Sequence, residues 1–380
     1  MNTVIKNMDN CDYQRVHLDT YLLFCTILLV GIGMIMNYSA SAVLSQERYG
    51  DSYYFLKRTF IFTALGFGGL VATLKFSYPG YKKIVYPILA LILFLVVAVF
   101  IPGIGRTIGG ATRWIRVGPI TFQPSEAAKV AMIIFLAYSL EKKFGKIRSF
   151  TVGFLPHICF MTVVAGCILY QKDFGSAMTI MVITWIMMFV AGVRRTYLVG
   201  MIVAILPIII LLIGQSDYRR KRILAFLNPW SDQYGSGFQI IQSFVAINEG
   251  GWFGKGLGQG QQKLFYLPEA HTDFIFSVIG EELGLAGVMF VMTLFGFFCY
   301  RGLKIALEAP DLFGRFLAIG CTILIGLEAV LNMGVVMGLL PTKGLTLPFI
   351  SYGGSSLVVS LVAVGILLNV STYKKIEKAW

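Results

Sequence analysis

Long apolar runs alternate with short polar segments along most of the chain. An apolar helix of about 17–25 residues is long enough to cross the hydrocarbon core of a bilayer. Such runs lie near 21–38, 60–74, 84–101, 126–140, 152–170, 174–193, 196–214, 274–300, 316–340 and 348–370. The pattern predicts an all-α, polytopic membrane protein with about ten transmembrane helices, forming a single transmembrane domain over residues 1–380.

The first run could instead be a secretory signal, because Ser39-Ala40-Ser41-Ala42 resembles a small-residue cleavage site. Its apolar stretch is longer than the core of about 7–15 residues in such signals. A polar stretch of about twenty residues also precedes the run, which is unlike the short basic start of a signal. We therefore interpret it as an uncleaved transmembrane helix.

Basic residues in the short loops predict the orientation. If the N-terminus is inside, the inner segments carry about twice as many Lys and Arg residues as the short outer loops. Both termini are then cytoplasmic, and segments 102–125 and 215–273 lie outside. Both segments are long and contain aromatic, apolar and Gly residues, so we expect them to fold against the helices. The second forms a large extracytoplasmic loop.

Composition supports a membrane protein and limits the kinds of molecule that we expect to bind it. Hydrophobic residues make up 57% and charged residues 13% of the 380 residues, where soluble domains carry about 25% charged residues. The net charge is +13. Part of this charge reflects the basic inner segments, and part is a basic outer surface. Because that outer charge lies away from the cytoplasm, we expect an anionic lipid headgroup and no nucleic acid as partner. The outer loops contain no cysteine, which argues against a disulfide framework or a cysteine metal site.

The segment His271-Thr272-Asp273 brings polar chemistry to the start of the eighth run. Thr272 or Asp273 could simply cap the helix that follows. However, Glu281 and Glu282 follow in the same run, and capping needs only one acid. Acids at a membrane span are functional hypotheses by default. The pattern therefore favours a functional Asp273, with the two glutamates holding helices together by hydrogen bonds.

Two polar groups surround the start of the fourth run. Glu126 and Lys129 are three residues apart, so they share a helix face and are predicted to form a structural ion pair. Upstream, Arg113 and Arg116 flank Trp114. These three residues could anchor the chain in the headgroup zone, or the two cations could clamp a pyrophosphate.

Further polar positions lie in the other outer segments. Asp173 could cap the helix that begins after it, since helix N-termini favour an acid. Arg222 belongs to a basic run that suits either a lipid-facing surface or an anionic headgroup. Segments 341–344 and 351–356, rich in small residues, bracket the start of the last run. They predict close backbone approach or an unwound segment that lines a cavity.

Together these stretches resemble the SEDS family (shape, elongation, division and sporulation) of bacterial envelope proteins, and most closely its FtsW branch. The resemblance covers nearly the whole chain. It rests on the order and spacing of Arg113-Trp114, Gln123-Pro124-Ser125-Glu126, Asp173-Phe174-Gly175, Phe226-Leu227-Asn228-Pro229-Trp230, His271-Thr272-Asp273-Phe274 and Ser351-Tyr352-Gly353-Gly354. Lys343 stands where the RodA branch usually has an apolar residue.

The resemblance implies a peptidoglycan glycosyltransferase that polymerises lipid II, an undecaprenyl-pyrophosphate disaccharide-pentapeptide, on the outer face of the membrane. It implies that Asp273 is catalytic, as a base or as a ligand of a divalent cation (Mg or Mn). The positions expected to bind substrate are Arg113, Trp114, Arg116, Gln123, Asp173, Arg222, His271, Thr272, Lys343 and Ser351. A lipid II flippase, a RodA-type elongation polymerase and a scaffold without chemistry are the alternatives.

The resemblance also implies a class B penicillin-binding protein and other divisome proteins as partners, at the septum of a bacterial cytoplasmic membrane. The outer loops contain no Ser-x-x-Lys arrangement for cross-linking, so another protein must join the strands. Small residues favour close helix packing in membranes. The ninth run, with Gly320 and Gly326 among its glycines, is therefore the predicted docking face, unless these glycines pack inside the bundle.

Overall fold

The computed structural model describes residues 4–6, 12–15, 17–101, 103–108, 111–118, 120–215, 220, 224–235, 237–263, 267, 269–341 and 344–375. Its helices are α1 (Thr20–Tyr49), α2 (Tyr54–Lys75), α3 (Tyr81–Ala98), α4 (Pro124–Lys142), α5 (Leu155–Tyr170), α6 (Phe174–Val190), α7 (Arg195–Gly214), α8 (Phe238–Gly250), α9 (Ile275–Glu308), α10 (Leu312–Val336) and α11 (Gly354–Ser371). Every predicted apolar run coincides with one of these helices, which confirms the all-α polytopic fold.

Seven helical segments within the described residues are long and apolar enough to cross a membrane. Helices α6 and α7 add shorter apolar stretches, whereas α4 carries Glu126 and Lys129 within its first turns. Two helices form the centre of the bundle, because 78% of the apolar window in α10 and in α11 is buried. Helix α11 packs against α2, and α10 packs against α9, α4 and α6.

Two small antiparallel sheets complete the described fold. The strands are β1 (Val4–Lys6), β2 (Asp12–Arg15), β3 (Gly105–Ile108), β4 (Ala111–Val117), β5 (Ile120–Phe122) and β6 (Tyr373–Lys375). The order β1-β2-β6 brings both ends of the chain to one side of the molecule. The order β3-β4-β5 gives segment 102–125 a regular structure directly before α4.

Helix α9 is broken at Gly284, whose φ of 68° and ψ of −166° lie outside the helical region. Backbone from the preceding loop fills the break: Leu285 N donates to Gly251 O at 2.9 Å, and Ala286 N donates to Trp252 O at 3.0 Å. A side chain at Gly284 would collide with this loop, whose Phe253 N lies 2.6 Å from the Cβ position. The glycine therefore lets the loop supply hydrogen-bond partners inside the bundle.

The glycines of α10 pack inside the bundle, so the predicted docking face on the ninth run is wrong. A Cβ at Gly320 would collide with Ile133 and lie 3.1 Å from Met187 Sδ. A Cβ at Gly326 would lie 2.7 Å from Cys299 Sγ. These glycines allow neighbouring helices to approach within one molecule, which is the alternative use of small residues in membrane bundles.

Candidate functional site

Two non-helical segments meet at one end of the bundle, one before α9 and one before α11. Tyr352 N donates to His271 O at 2.9 Å, and Ser351 Oγ donates to Thr272 O at 2.6 Å. Ser351 Oγ also accepts from Leu347 N at 2.8 Å. These bonds bring Ser351 next to His271 and Thr272, from which it is far apart in sequence. Their role here is to hold the two segments to each other.

Asp273 lies at this joint. Its carbonyl accepts a 2.9 Å hydrogen bond from Asn332 Nδ2, which also donates to Leu345 O at 2.6 Å. The N-cap residue of α9 is Phe274, so neither Thr272 nor Asp273 occupies the capping position. A Cβ at Gly344 would lie 3.3 Å from Asp273 Oδ2. Gly344 therefore approaches the Asp273 carboxylate closely.

A second cluster surrounds Asp173, which is 3% exposed. Its Oδ2 accepts from Gln123 Nε2 and from Ser125 Oγ, both at 2.8 Å, and its Oδ1 caps α6 by accepting from Ser176 N at 3.2 Å. Arg113 Nη1 lies 4.0 Å from the same Oδ1. Asp173 is therefore the helix cap that its sequence position allowed, and it also orders the start of α4.

The strand geometry of β4 separates the two arginines that were predicted to act together. Arg113 lies at an irregularity in the pairing of β4 with β3, whereas Arg116 pairs regularly with Thr121 of β5. Arg113 reaches Asp173 and donates to Lys172 O. Arg116 is exposed and donates to Gly118 O at 3.0 Å. A paired arginine clamp around Trp114 is therefore not formed, and the inward cation is Arg113.

The two clusters are joined through the starts of α4, α6 and α11. Gln123 N donates to Ser355 Oγ at 3.0 Å. A Cβ at Gly175 would lie 2.8 Å from Leu345 Cδ2, so the α6 start packs directly on the segment that adjoins Asp273. The described candidate residues other than Arg116 thus occupy one end of the bundle.

A buried ion network lies just below this end. Lys129, 2% exposed, has its Nζ 2.8 Å from Glu126 Oε1 and also pairs with Glu328 of α10. The Glu126–Lys129 pair follows the predicted spacing, but Glu328 was not anticipated. A single buried cation between two carboxylates ties α4 to the central helix α10.

Glu281 and Glu282 are fully buried and hold the loop that precedes the site. Glu281 Oε1 accepts from Gln261 N at 2.7 Å. Glu282 accepts from Ser39 Oγ of α1 at 2.7 Å and from Lys263 Nζ at 2.6 Å. Their carboxylates therefore join α1, α9 and loop 254–263, as their expected structural role requires.

Backbone strain concentrates at the same end of the bundle. Within the described residues, the non-glycine positions with positive φ are Lys172 (62°), Glu269 (57°) and Phe349 (66°). Each lies in a segment that carries candidate residues. Such conformations cost about 1–3 kcal/mol each and cluster at functional sites. The strain independently marks the segments that hold Asp173, His271 and Ser351.

His271 is half-buried between aromatic rings, with Phe55 4.9 Å and Tyr352 5.7 Å away between ring centroids. Burial lowers the pKa of His271, and the nearby positive charge of Arg48 lowers it further against the opposing effect of Glu269. The ring is therefore held neutral and serves as a packing element of the joint.

Two predicted substrate residues, Arg222 and Lys343, lie outside the described residues, so their roles stay predictions. Among the described residues, no group of three or more His, Cys, Asp or Glu side chains could hold a metal ion. Asp273 alone still suits Mg²⁺, which proteins commonly hold through one or two carboxylates together with substrate phosphates. Asp273 is half-buried, so part of the residue is accessible to an ion.

Sequence reasoning missed Asn332 and Glu328, the two polar residues of α10 that reach the site and the ion network. They are four residues apart and so share one helix face. That spacing inside an apolar run was the available signal. Their partners could not be read from it, because Asp273 and Lys129 lie on other helices.

Comparison with known proteins gives concordant matches. Residues 19–376 match a family of cell cycle proteins named for FtsW, RodA and SpoVE. The chain is 50% identical over 357 residues to a probable peptidoglycan glycosyltransferase FtsW of Geobacter metallireducens, covering 94% of this chain and 95% of that protein. It is 46% identical over 358 residues to the stage V sporulation protein E of Bacillus subtilis, covering 94% and 98%.

Solved structures show the same architecture. A chain from a peptidoglycan synthase complex, described as coordinating polymerization and crosslinking, matches with a TM-score of 0.77 and 32% identity. The match covers 94% of this chain and 98% of that one. The rod shape determining protein RodA of Thermus thermophilus matches with a TM-score of 0.68 and 27% identity, covering 94% and 97%.

Proposed function

The chain belongs to the family of FtsW, RodA and SpoVE, and we propose that it is a peptidoglycan glycosyltransferase that polymerises lipid II on the outer face of the bacterial cytoplasmic membrane. Relatives named as probable FtsW glycosyltransferases support the activity at about half sequence identity. The observation that carries the proposal is the placement of Asp273. Asp273 is half-buried, in a turn outside the regular helix, at the joint of two segments that hydrogen bonds hold together.

The proposed reaction is an inverting glycosyl transfer. The 4-hydroxyl oxygen of GlcNAc on an incoming lipid II attacks the anomeric carbon of MurNAc on the growing strand. The new glycosidic bond forms as the bond to the pyrophosphate oxygen breaks, and undecaprenyl pyrophosphate leaves. Asp273 accepts the hydroxyl proton, which is the work of a general base. Arg113, directed into the site beside Asp173, offers charge-assisted hydrogen bonds to a pyrophosphate.

A divalent cation fits the same proposal, with Asp273 as its protein ligand. When bound, it would neutralise negative charge on the leaving pyrophosphate. Asp273 would then act as the ligand of the cation in place of acting as the base. Removal of divalent cations from the purified protein should lower polymerisation, and added Mg²⁺ or Mn²⁺ should restore it.

A lipid II flippase is the second candidate, because polytopic bundles with buried charges also serve transport. Carriers usually place the substrate site near the bilayer midplane, between repeats. Here the candidate residues lie at the starts of α4, α6, α9 and α11, at one end of the bundle. That placement favours chemistry at a membrane surface.

The experiment that separates these functions supplies purified protein with labelled lipid II. In detergent, we expect glycan strands, which a flippase would not make. In vesicles, scrambling of labelled lipid II between leaflets without strand formation would contradict the polymerase proposal. A chain with neither activity would instead support the scaffold.

The proposed cellular role follows from the expected partner protein and from the branch of the family that the chain resembles most. We infer that a class B penicillin-binding protein joins the strands, in line with the related chain in a peptidoglycan synthase complex. The higher identity to FtsW relatives than to RodA supports a role at the division septum with other divisome proteins. Localisation of a fluorescent fusion tests this: midcell bands are expected, and uniform sidewall signal would indicate the RodA-type elongation role.

A further inference from the structure

Asn332 lies in the central helix α10 and is 1% exposed. Its Nδ2 donates to Asp273 O at 2.9 Å and to Leu345 O at 2.6 Å, so both amide hydrogens are used on main-chain carbonyls. We propose that Asn332 is a positioning residue for glycosyl transfer, which fixes the main chain of Asp273 against the segment before α11. This inference rests on the proposed function.

The geometry explains why Asp273 needs such a support. Asp273 precedes the N-cap residue Phe274, so it lies in a turn outside the regular helix. Its carboxylate Oδ2 lies beside Gly344, the neighbour of Leu345. Asn332 therefore holds both the residue that carries the carboxylate and Leu345, which follows the glycine packed against that carboxylate. The position of the Asp273 main chain relative to the segment before α11 depends on these two hydrogen bonds.

The carbonyl oxygen of the side chain indicates a positioning role and not a stabilising one. Asn332 Oδ1 is buried and has no hydrogen-bond partner among the described residues. An unpaired buried polar atom lowers stability, and such atoms in a native structure call for a specific explanation. A residue whose function is to position two carbonyls can be retained despite this loss of folding stability. Functional groups are placed most exactly from rigid elements, and α10 is one of the two best-buried helices.

A matched asparagine provides the control. Asn369 is 3% exposed and lies at the opposite end of α11 from the site. Its Nδ2 donates to Leu74 O at 2.6 Å, and its Oδ1 accepts from Tyr78 N at 2.8 Å. Replacing either asparagine by alanine therefore removes two buried hydrogen bonds. Only Asn332→Ala removes bonds that position Asp273.

The test measures kcat and KM for lipid II polymerisation by the full chain, together with its thermal midpoint in detergent. Displacement of a reacting group by about 1 Å costs on the order of a hundredfold in rate. We expect Asn332→Ala to lower kcat about 10- to 100-fold, with KM changed less than about threefold. Asn369→Ala should lower the thermal midpoint but leave kcat near that of the wild type. Equal kcat losses in both variants, or none in Asn332→Ala, would overturn the inference.

A second variant keeps the test decisive if the alanine protein does not fold. Asn332→Leu keeps the same branching and number of side-chain heavy atoms and removes the unpaired Oδ1, which offsets part of the cost of leaving two carbonyls without their donor. We expect a folded protein whose kcat is still reduced at least tenfold. Wild-type kcat in a folded Asn332→Leu protein would exclude positioning. A wild-type chain that makes no strands would overturn the proposed function itself.

Discussion

Asp173 and Asp273 both stand at the start of a helix, yet the structure uses them differently. Asp173 is the N-cap of α6 and accepts hydrogen bonds from Gln123 and Ser125, which lie about fifty residues earlier. Asp273 precedes the N-cap of α9, is half-buried and lies close to Gly344. The sequence identified both acids as candidates from local context. Their division of roles depends on partners from other helices, which no local pattern reveals.

At the scale of single residues, the first prediction concerns Arg113. Its guanidinium faces the Asp173 cluster, so Arg113→Ala should weaken the use of lipid II if the pyrophosphate binds there. Charge-assisted hydrogen bonds contribute about 1.5–3 kcal/mol, which corresponds to a loss of about tenfold or more in kcat/KM. Lys57→Ala is the control, since Lys57 is exposed and pairs with Asp51. Equal losses in both variants would indicate a diffuse surface field instead of a site.

At the scale of elements, periodicity located the helices but not their interruptions or ends. The apolar run at 274–300 is part of the longer α9, and its break at Gly284 is filled by loop backbone that the run itself does not reveal. The strands β3 to β5 were also hidden, because each is short and glycines lie between and beside them. The contacts of Arg113 with Asp173 and Lys172 then decided that Arg113, and not Arg116, faces the site.

The glycines of α10 give a test of helix packing. Gly320→Leu would force a side chain against Ile133 and Met187, and overpacking typically costs about 1–3 kcal/mol. We expect a clearly lower thermal midpoint in detergent for this variant. Gly296→Leu is the matched control, because a Cβ at Gly296 of α9 would meet nothing within 4 Å. Similar midpoints for the two variants would contradict the internal packing of Gly320.

The ion network between α4 and α10 gives a second test at this scale. Lys129→Met would leave the buried Glu126 and Glu328 without their shared cation. Breaking a buried pair typically costs about 3–5 kcal/mol, whereas replacing all its members can be nearly neutral. We therefore expect Lys129→Met to lower the thermal midpoint strongly. Adding Glu126→Gln and Glu328→Gln should restore most of it, and failure of the triple variant to recover would contradict a structural role.

For the whole molecule, composition and run length predicted the membrane class and the all-α fold. They could not predict which helices lie at the centre, because apolar residues face lipid as readily as protein. Helices α10 and α11 lie at the centre, and α10 reaches across the bundle through the contacts of Glu328 with Lys129 and of Asn332 with Asp273. The assembly of the site at one end follows from these long-range contacts.

The central claim is that Asp273 is the residue on which strand synthesis depends. The direct measurement compares strand formation from labelled lipid II by purified wild type, Asp273→Asn and Asp51→Asn, each in complex with its penicillin-binding partner. Asp51 is a control outside the site, half-exposed and paired with Lys57. We expect Asp273→Asn to remain folded and bound to its partner while making no strands, and Asp51→Asn to polymerise like the wild type. Near-normal polymerisation by Asp273→Asn would contradict the account.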